Sequence, residues 1–126
     1  MSIFTHVCIG TNDLSATTAF YDAALAPLGV KQVGDFGPTC IAYGKEKFEL
    51  LVLSPRDGQP ATHANGGTIG FVAPDAEAVD AFHAAGVANG GTDEGAPGER
   101  FDGGAHAAYL RDPTGNKICA YFFKAQ

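Results

Sequence analysis

The sequence predicts an α+β fold of two βαβββ modules, whose strands form a cupped mixed sheet with the helices on its outer face. Three observations predict it. A constant offset of 62 residues pairs Asp13 with Asp75, Ala19 with Ala81, Phe20 with Phe82, Ala23 with Ala85 and Gly29 with Gly91. A helix cap, a helix core and a stop residue thus recur together, as an internal repeat requires. Twice, a short apolar strand gives way to an apolar stripe at helical spacing. Finally, His106–Phe123 (HAAYLRDPTGNKICAYFF) reads as two strands around a Pro-Thr-Gly turn.

Taken in order, Ile3–Gly10 is a strand, with Val7 and Ile9 on one face and His6 and Cys8 on the other. Asn12-Asp13 offers a helix N-cap; Leu14, Thr17, Tyr21, Leu25 and Leu28 form the buried stripe, and Gly29 stops it. Val30–Phe36 and Pro38–Tyr43 read as strands joined by a Gly turn, and Gly44–Lys47 as a charged turn. Phe48–Leu53 is the next strand, an apolar run broken by Glu49. The polar, Pro- and Gly-rich stretch that follows has the composition of a linker. The pattern then restarts with strand Gly67–Ala73, a helix start at Pro74-Asp75, and a stripe of Val79, Phe82 and Gly86 ending near Gly90-Gly91. Thr92–His106 (TDEGAPGERFDGGAH) is expected to hold one short edge strand near its start and otherwise a Gly-rich loop. The closing hairpin completes the second module, its Ala108-Tyr109 echoing Ala42-Tyr43. The chain is read as one domain: module 1 about 1–55, a linker about 56–66, and module 2 about 67–126.

The composition narrows the partners. A chain of 126 residues can bury a real core, and a net charge of −6 with no basic run makes nucleic acid and anionic membrane poor partners. The apolar runs are far too short to span a bilayer, and the first residues carry no signal-peptide pattern. Three widely spaced cysteines without a CxxC point to a reduced, cytoplasmic setting.

With helices covering one face of each sheet, the other face curls around something. Alternation directs Phe48, Leu50 and Val52 toward the helices and Glu49 into the cup. The offset makes Thr68 the counterpart of His6, and alignment through the hairpins makes Cys119 the counterpart of Glu49. Ile118, Ala120 and Phe122 would pack outward, and Cys119, Tyr121 and Phe123 inward.

The paired modules, the first-strand His and the closing RDPTGNKICAYF resemble the vicinal oxygen chelate superfamily, the group of glyoxalase I, bleomycin-resistance proteins and ring-cleaving dioxygenases. The resemblance covers essentially the whole chain. It implies a small-molecule ligand in the cup, a homodimer and, in metal-dependent members, one divalent ion held by inward residues of the first, fourth, fifth and eighth strands. Carried over, His6 and Glu49 match two ligand positions. Thr68 stands where a His is frequent, and Cys119 where the family has Glu in GNKIE. A hard ion loses a carboxylate there, whereas Zn²⁺ accepts His6, Glu49 and a Cys119 thiolate.

Each candidate also has a plainer reading. His6 is a metal ligand or a hydrogen-bonded pocket histidine. Glu49 is too costly to bury alone, so it is near the surface or partnered; with an activity present it is the catalytic general base. Cys119 is a small apolar filler or a ligating thiol. Arg100, Phe101 and His106 belong to a loop that is either a lid, with Arg100 holding an anionic group, or a solvated surface segment. Tyr121 lines the cup as an aromatic wall or serves a dimer contact. Two functions follow: a lyase, isomerase or dioxygenase using Zn, Ni, Mn or Fe, or a metal-free protein that sequesters a small organic compound.

Overall fold

The computed structural model describes residues 2–34 and 36–124. In chain order it contains β1 (Val7–Gly10), α1 (Leu14–Leu25) with a 3-10 turn (Ala26–Leu28), β2 (Lys31–Gln32), β3 (Cys40–Gly44), β4 (Leu50–Leu53), β5 (Ile69–Val72), α2 (Ala76–Ala88), β6 (Thr92–Arg100), β7 (Ala105–Arg111) and β8 (Lys117–Phe123). The strand orders β1-β4-β3-β2 and β5-β8-β7-β6 are the same topology twice. In each, the first strand runs parallel to the last and the other neighbours are antiparallel. These are two βαβββ modules. None of the helices among the described residues is long and apolar enough to cross a membrane.

The repeat visible in the sequence governs the helices and the strand registers alike. Asp13 and Asp75 cap their helices, accepting from the backbone N–H of Ala16 at 3.1 Å and of Ala78 at 2.8 Å. Phe20 and Phe82 are both fully buried. Val7 pairs with Leu50, and Ile69, 62 residues later, pairs with Ile118. The symmetry ends at the helix C-termini. Gly29 stops the first helix at φ 78°, whereas in the second module Gly90 takes the left-handed conformation, at φ 98°. Gly91 serves close approach instead: a Cβ there would lie 2.4 Å from Phe20 Cε1 and 3.0 Å from the Arg111 carbonyl oxygen.

That contact joins the modules. One apolar cluster runs through both, taking Phe20, Tyr21, Leu25 and Leu28 from the first and Val79, Phe82, Leu110 and Ile118 from the second. A polar clamp locks the same junction. Asp112, in the β7–β8 turn, is buried, and Tyr21 on α1 donates its hydroxyl to Asp112 Oδ2 at 2.7 Å. Asn116 Nδ2 donates to the same oxygen at 2.9 Å, while the backbone N–H groups of Thr114, Gly115 and Asn116 donate to Oδ1 at 2.9–3.0 Å. Asn116 Nδ2 also reaches the Gly10 carbonyl at 3.0 Å, and Thr114 Oγ1 accepts from the Asn12 N–H at 3.3 Å. The turn residues of DPTGN therefore do more than turn: they seat the last hairpin on the β1–α1 junction. The segment between β4 and β5 is held at the same corner, because Asn12 bonds both backbone groups of Ala61.

Several elements differ from expectation. β1 begins at Val7, not Ile3, because its only partner β4 starts opposite at Leu50; Ile3 and Phe4 are left exposed. The strand expected over Val30–Phe36 shrinks to Lys31–Gln32, since Gly34 and Gly37 adopt positive φ before Pro38; Asp35 lies outside the described residues. Phe48 does not face the helices. It precedes β4 and packs its ring near His6 and Phe36, with centroids 5.4 and 5.2 Å away. The largest difference is β6, where nine residues pair with β7 through two register shifts. Pro97 falls at the second shift, where no ladder hydrogen bond is asked of it, and the bulges give a Gly-rich segment an edge-strand role.

The clamp yields a stability prediction. Asp112→Ala strands five donors and should cost about 3 kcal/mol, and Tyr21→Phe about 1 kcal/mol, in urea unfolding at pH 7. Burial first, and the Asp112 charge next, hold the Tyr21 phenol well above its ordinary value; burial and Asp22 do the same for Tyr43. A raised phenol favours the fold below the unfolded tyrosine value, and that stability drains as pH rises through and past roughly 10. Alkaline titration of the wild type should show this loss, and Tyr21→Phe should shrink it.

Candidate functional site

Strand alternation sorts the side chains into a core face and an open face. On β5 and β8, Ile69, Phe71, Ile118, Ala120 and Phe122 pack on the core cluster. Gly70, Val72, Cys119, Tyr121 and Phe123 stand on the other face, with Gly70 opposite Cys119 and Val72 opposite Tyr121. The open side carries two adjoining cavities that share Thr68, Gly70 and Phe71 as a common wall.

The first, of about 600 Å³, is polar on the module 1 side: His6, Lys47 and Glu49 face Thr68 across it. The structure thus brings His6, Glu49 and Thr68 to one cleft. All three are exposed, so Glu49 is solvated rather than buried. Its Oε1 lies 3.4 Å from the Lys45 N–H, and His6 Nδ1 is 3.0 Å from Thr5 Oγ1.

The second cavity, of about 420 Å³, is aromatic and contains no acidic lining residue. Cys119 forms its floor and Phe101, Tyr121 and Phe123 its wall. Gly70 keeps that floor open, since a Cβ there would come within 3.3 Å of Cys119 Sγ. Tyr121 stacks on Phe123 at 5.4 Å and 21°, and Phe101 lies 6.0 Å from Tyr121 at 31°. Tyr109, beside Cys119 on β7, makes a short hydroxyl–hydroxyl hydrogen bond to Tyr121. Burial pushes the Cys119 thiol up to about 11; Lys117 and the Tyr109 hydroxyl pull it down by less. At neutral pH it is a neutral, apolar surface rather than a thiolate.

The remaining candidates divide. Arg100 stands on the open face and lies over the Tyr109 ring, 5.8 Å from its centroid. Phe101 sits in a tight turn at φ 56°, followed by Asp102 at φ 52°, and is 69% exposed at the rim of the second cavity. A β-hairpin turn over 101–104 replaces the long loop expected there, so any lid is reduced to that turn. His106 lines neither of these cavities. Register places it on the helix side of β7, where Nε2 meets Asp80 of α2 at 2.8 Å.

Two residues were missed. Leu50 and Ile118 occupy equivalent positions, so register gives Lys117, not Cys119, the place that Glu49 holds in module 1; Cys119 corresponds to Leu51. The buried apolar pairs fix that register, whereas alignment through the unequal hairpins slid it by two. The same register gives Leu110, not Tyr109, the place that Tyr43 holds in module 1, so the Ala-Tyr echo is out of phase and Tyr109 stands on the open face. The available signal was simple alternation: Lys117 lies two residues before Cys119.

The sequence matches the family model of the glyoxalase/bleomycin resistance protein/dioxygenase superfamily over residues 3–120. The chain belongs to that superfamily. It is 47% identical to a glyoxalase/bleomycin resistance protein from Albidiferax ferrireducens T118, covering 98% of this chain and 100% of that one at a TM-score of 0.88. A lactoylglutathione lyase from Agrobacterium tumefaciens shares the fold at 23% identity and a TM-score of 0.65, over 98% and 99% of the two chains. So does a family enzyme from Burkholderia phytofirmans PsJN, at 21% and 0.73, over 95% and 98%. Comparison with curated proteins gives no match.

Superfamily members often hold a divalent ion, which the residues here can be asked to fit. Two of the three expected donors, His6 and Glu49, share the first cavity, while Cys119 floors the second as a neutral thiol. Among the described residues, no three His, Cys, Asp or Glu side chains gather as a metal-binding group. The donor set does not fit a resident ion, because a third anionic or imidazole ligand is missing at the cleft.

The thiol chemistry is directly testable. Iodoacetamide at pH 8 should modify exposed Cys8 at least about tenfold faster than buried Cys119, whose rate should keep rising toward pH 11. Peptide mapping by mass spectrometry reads both rates.

Proposed function

We propose that this superfamily member binds a small organic molecule in the cup without a resident metal, its cavities serving for recognition and sequestration. The observation that carries the reading is the chemistry of the second cavity: a neutral floor at Cys119, an aromatic wall at Phe101, Tyr121 and Phe123, and no acidic lining residue. Such a concave, largely apolar site with a few polar groups suits a compact organic ligand. Thr68 supports recognition from the shared wall, as a hydrogen-bonding hydroxyl.

A second reading rests on His6 and Glu49 lining one cleft. There Glu49 would act as general base on a substrate, and an added ion would have to find its remaining ligands in water or substrate. The Albidiferax relative is named a glyoxalase/bleomycin resistance protein, a name that leaves enzymatic and binding roles side by side. A homodimer is proposed from the superfamily, with exposed Phe4, Phe36 and Phe48 as apolar surface for a second copy.

A thermal-shift screen of organic compounds on chelator-treated protein, with parallel titrations of Zn²⁺, Ni²⁺, Mn²⁺ and Fe²⁺, separates the readings. The expected result is stabilisation by an organic compound, reduced at least about fivefold in affinity by Tyr121→Ala. Stoichiometric ion binding abolished by His6→Ala and by Glu49→Ala would overturn the metal-free reading.

A further inference from the structure

The lining of the aromatic cavity is uncharged, but cations stand next to it on the same face, around Tyr109, whose hydroxyl meets that of Tyr121. Two cations lie near the Tyr109 ring: Arg100 at 5.8 Å and Lys117 Nζ at 5.3 Å from its centroid. Both are half-buried on the open face. Among the described residues, neither is ion-paired to a carboxylate. The neighbouring cations are: Arg111 meets Glu94 at 3.4 Å, and Lys124 meets Glu99 at 3.1 Å.

Arg100 is also aimed. Its Nη1 donates to the Glu99 carbonyl and its Nη2 to the Ala96 carbonyl, both at 3.2 Å. Two glycines make room for it, since a Cβ on Gly98 would lie 3.4 Å from Nη1 and one on Gly95 3.5 Å from Nη2. The backbone carbonyls fix the guanidinium plane and leave its other N–H donors free. Next to it, Phe101 is held in a left-handed conformation that costs a non-Gly residue energy, and its ring joins the wall formed by Tyr121 and Phe123. Lys117 adds a second cation at the place where module 1 has Glu49, two residues before Cys119 on the same face of β8.

We infer that the second cavity selects a planar aromatic anion, its ring lying against Phe101, Tyr121 and Phe123 and its carboxylate or similar group reaching out of the cavity, past Tyr121, to Arg100 and Lys117 beside Tyr109. The inference rests on the small-molecule reading above and adds the chemical class of the ligand. Flat rings stack on the nearly parallel wall, and a forked guanidinium with a nearby ammonium fits a carboxylate better than any neutral group. The Tyr109–Tyr121 hydroxyl pair lies beside both.

Isothermal titration with 2-naphthoate, uncharged 2-naphthamide and non-aromatic cyclohexanecarboxylate tests each half. Naphthoate should bind tightest. Arg100→Gln and Lys117→Gln should each weaken naphthoate about tenfold while leaving naphthamide unchanged, which also shows the variants are folded. Phe101→Ala should weaken both naphthalene compounds, and added salt only naphthoate. Equal binding of naphthoate and naphthamide, indifferent to Arg100→Gln, would overturn the anion selection while leaving organic-ligand binding intact. Cyclohexanecarboxylate binding as tightly as naphthoate would overturn the aromatic half. No binding of any of the three overturns the inference alone, because the compound screen judges the broader reading independently.

Discussion

The rest of the structure depends on one buried carboxylate. Asp112 takes five hydrogen bonds, from three backbone amides of its own turn, from Asn116 and from Tyr21 of the other module. A buried charge with that many donors is stable only while every donor stays in place, so it fixes geometry as much as it adds energy. The turn cannot relax without stranding Asp112, and α1 cannot shift without withdrawing Tyr21. Asn116 adds a bond to the Gly10 carbonyl, tying the end of β1 to the start of β8. The first and last strands of the fold thus share one polar joint at the edge of one apolar cluster.

Close packing finishes what the clamp begins. Phe20 enters the second module where Gly86 and Gly91 leave space, and a Cβ on Gly86 would meet Leu110 Cδ1 at 2.4 Å. The modules are therefore keyed together on the helix side, and the opposite side stays open. The consequence for the open side is the position of β5: its Gly70, and Thr68 just before it, line both cavities. Holding β8 in register against β5 places Cys119 beneath Gly70 and Tyr121 beside Val72. The cup's floor is a by-product of how the last hairpin is seated.

Much of this was legible in the sequence, because it depended on local chemistry. The Asp caps, the Gly29 stop, the helix stripes and the facing of Ile118 and Ala120 follow from spacing alone, and the structure has them. What escaped depended on partners. β6 has Gly, Pro and acidic residues that no strand propensity favours; it is a strand because β7 offers its edge and bulges absorb Pro97. His106 read as a loop residue because the loop was drawn too long, whereas pairing with Phe122 turns it to Asp80. The Glu49–Cys119 equivalence failed for a related reason. Hairpin lengths differ between the modules, and only the apolar pairs Val7–Leu50 and Ile69–Ile118 show the true register.

The closing strand keeps fold and function on separate faces, which explains why the motif that carries the family resemblance says so little about chemistry. Asp112, Asn116, Ile118 and Ala120 are all buried and serve the clamp or the core. Lys117, Cys119 and Tyr121 alternate with them and face the cup. A change of Cys119 to an acid alters the charge of the cavity, and a change of Lys117 to a neutral residue the charge beside it, without touching a single bond of the clamp. The cup's electrostatics can therefore be reset one side chain at a time at little cost to the fold. In this chain the settings are a thiol and a lysine on the second sheet against a histidine and a glutamate on the first. A shared scaffold constrains where the cavities lie; the alternating face decides their chemistry.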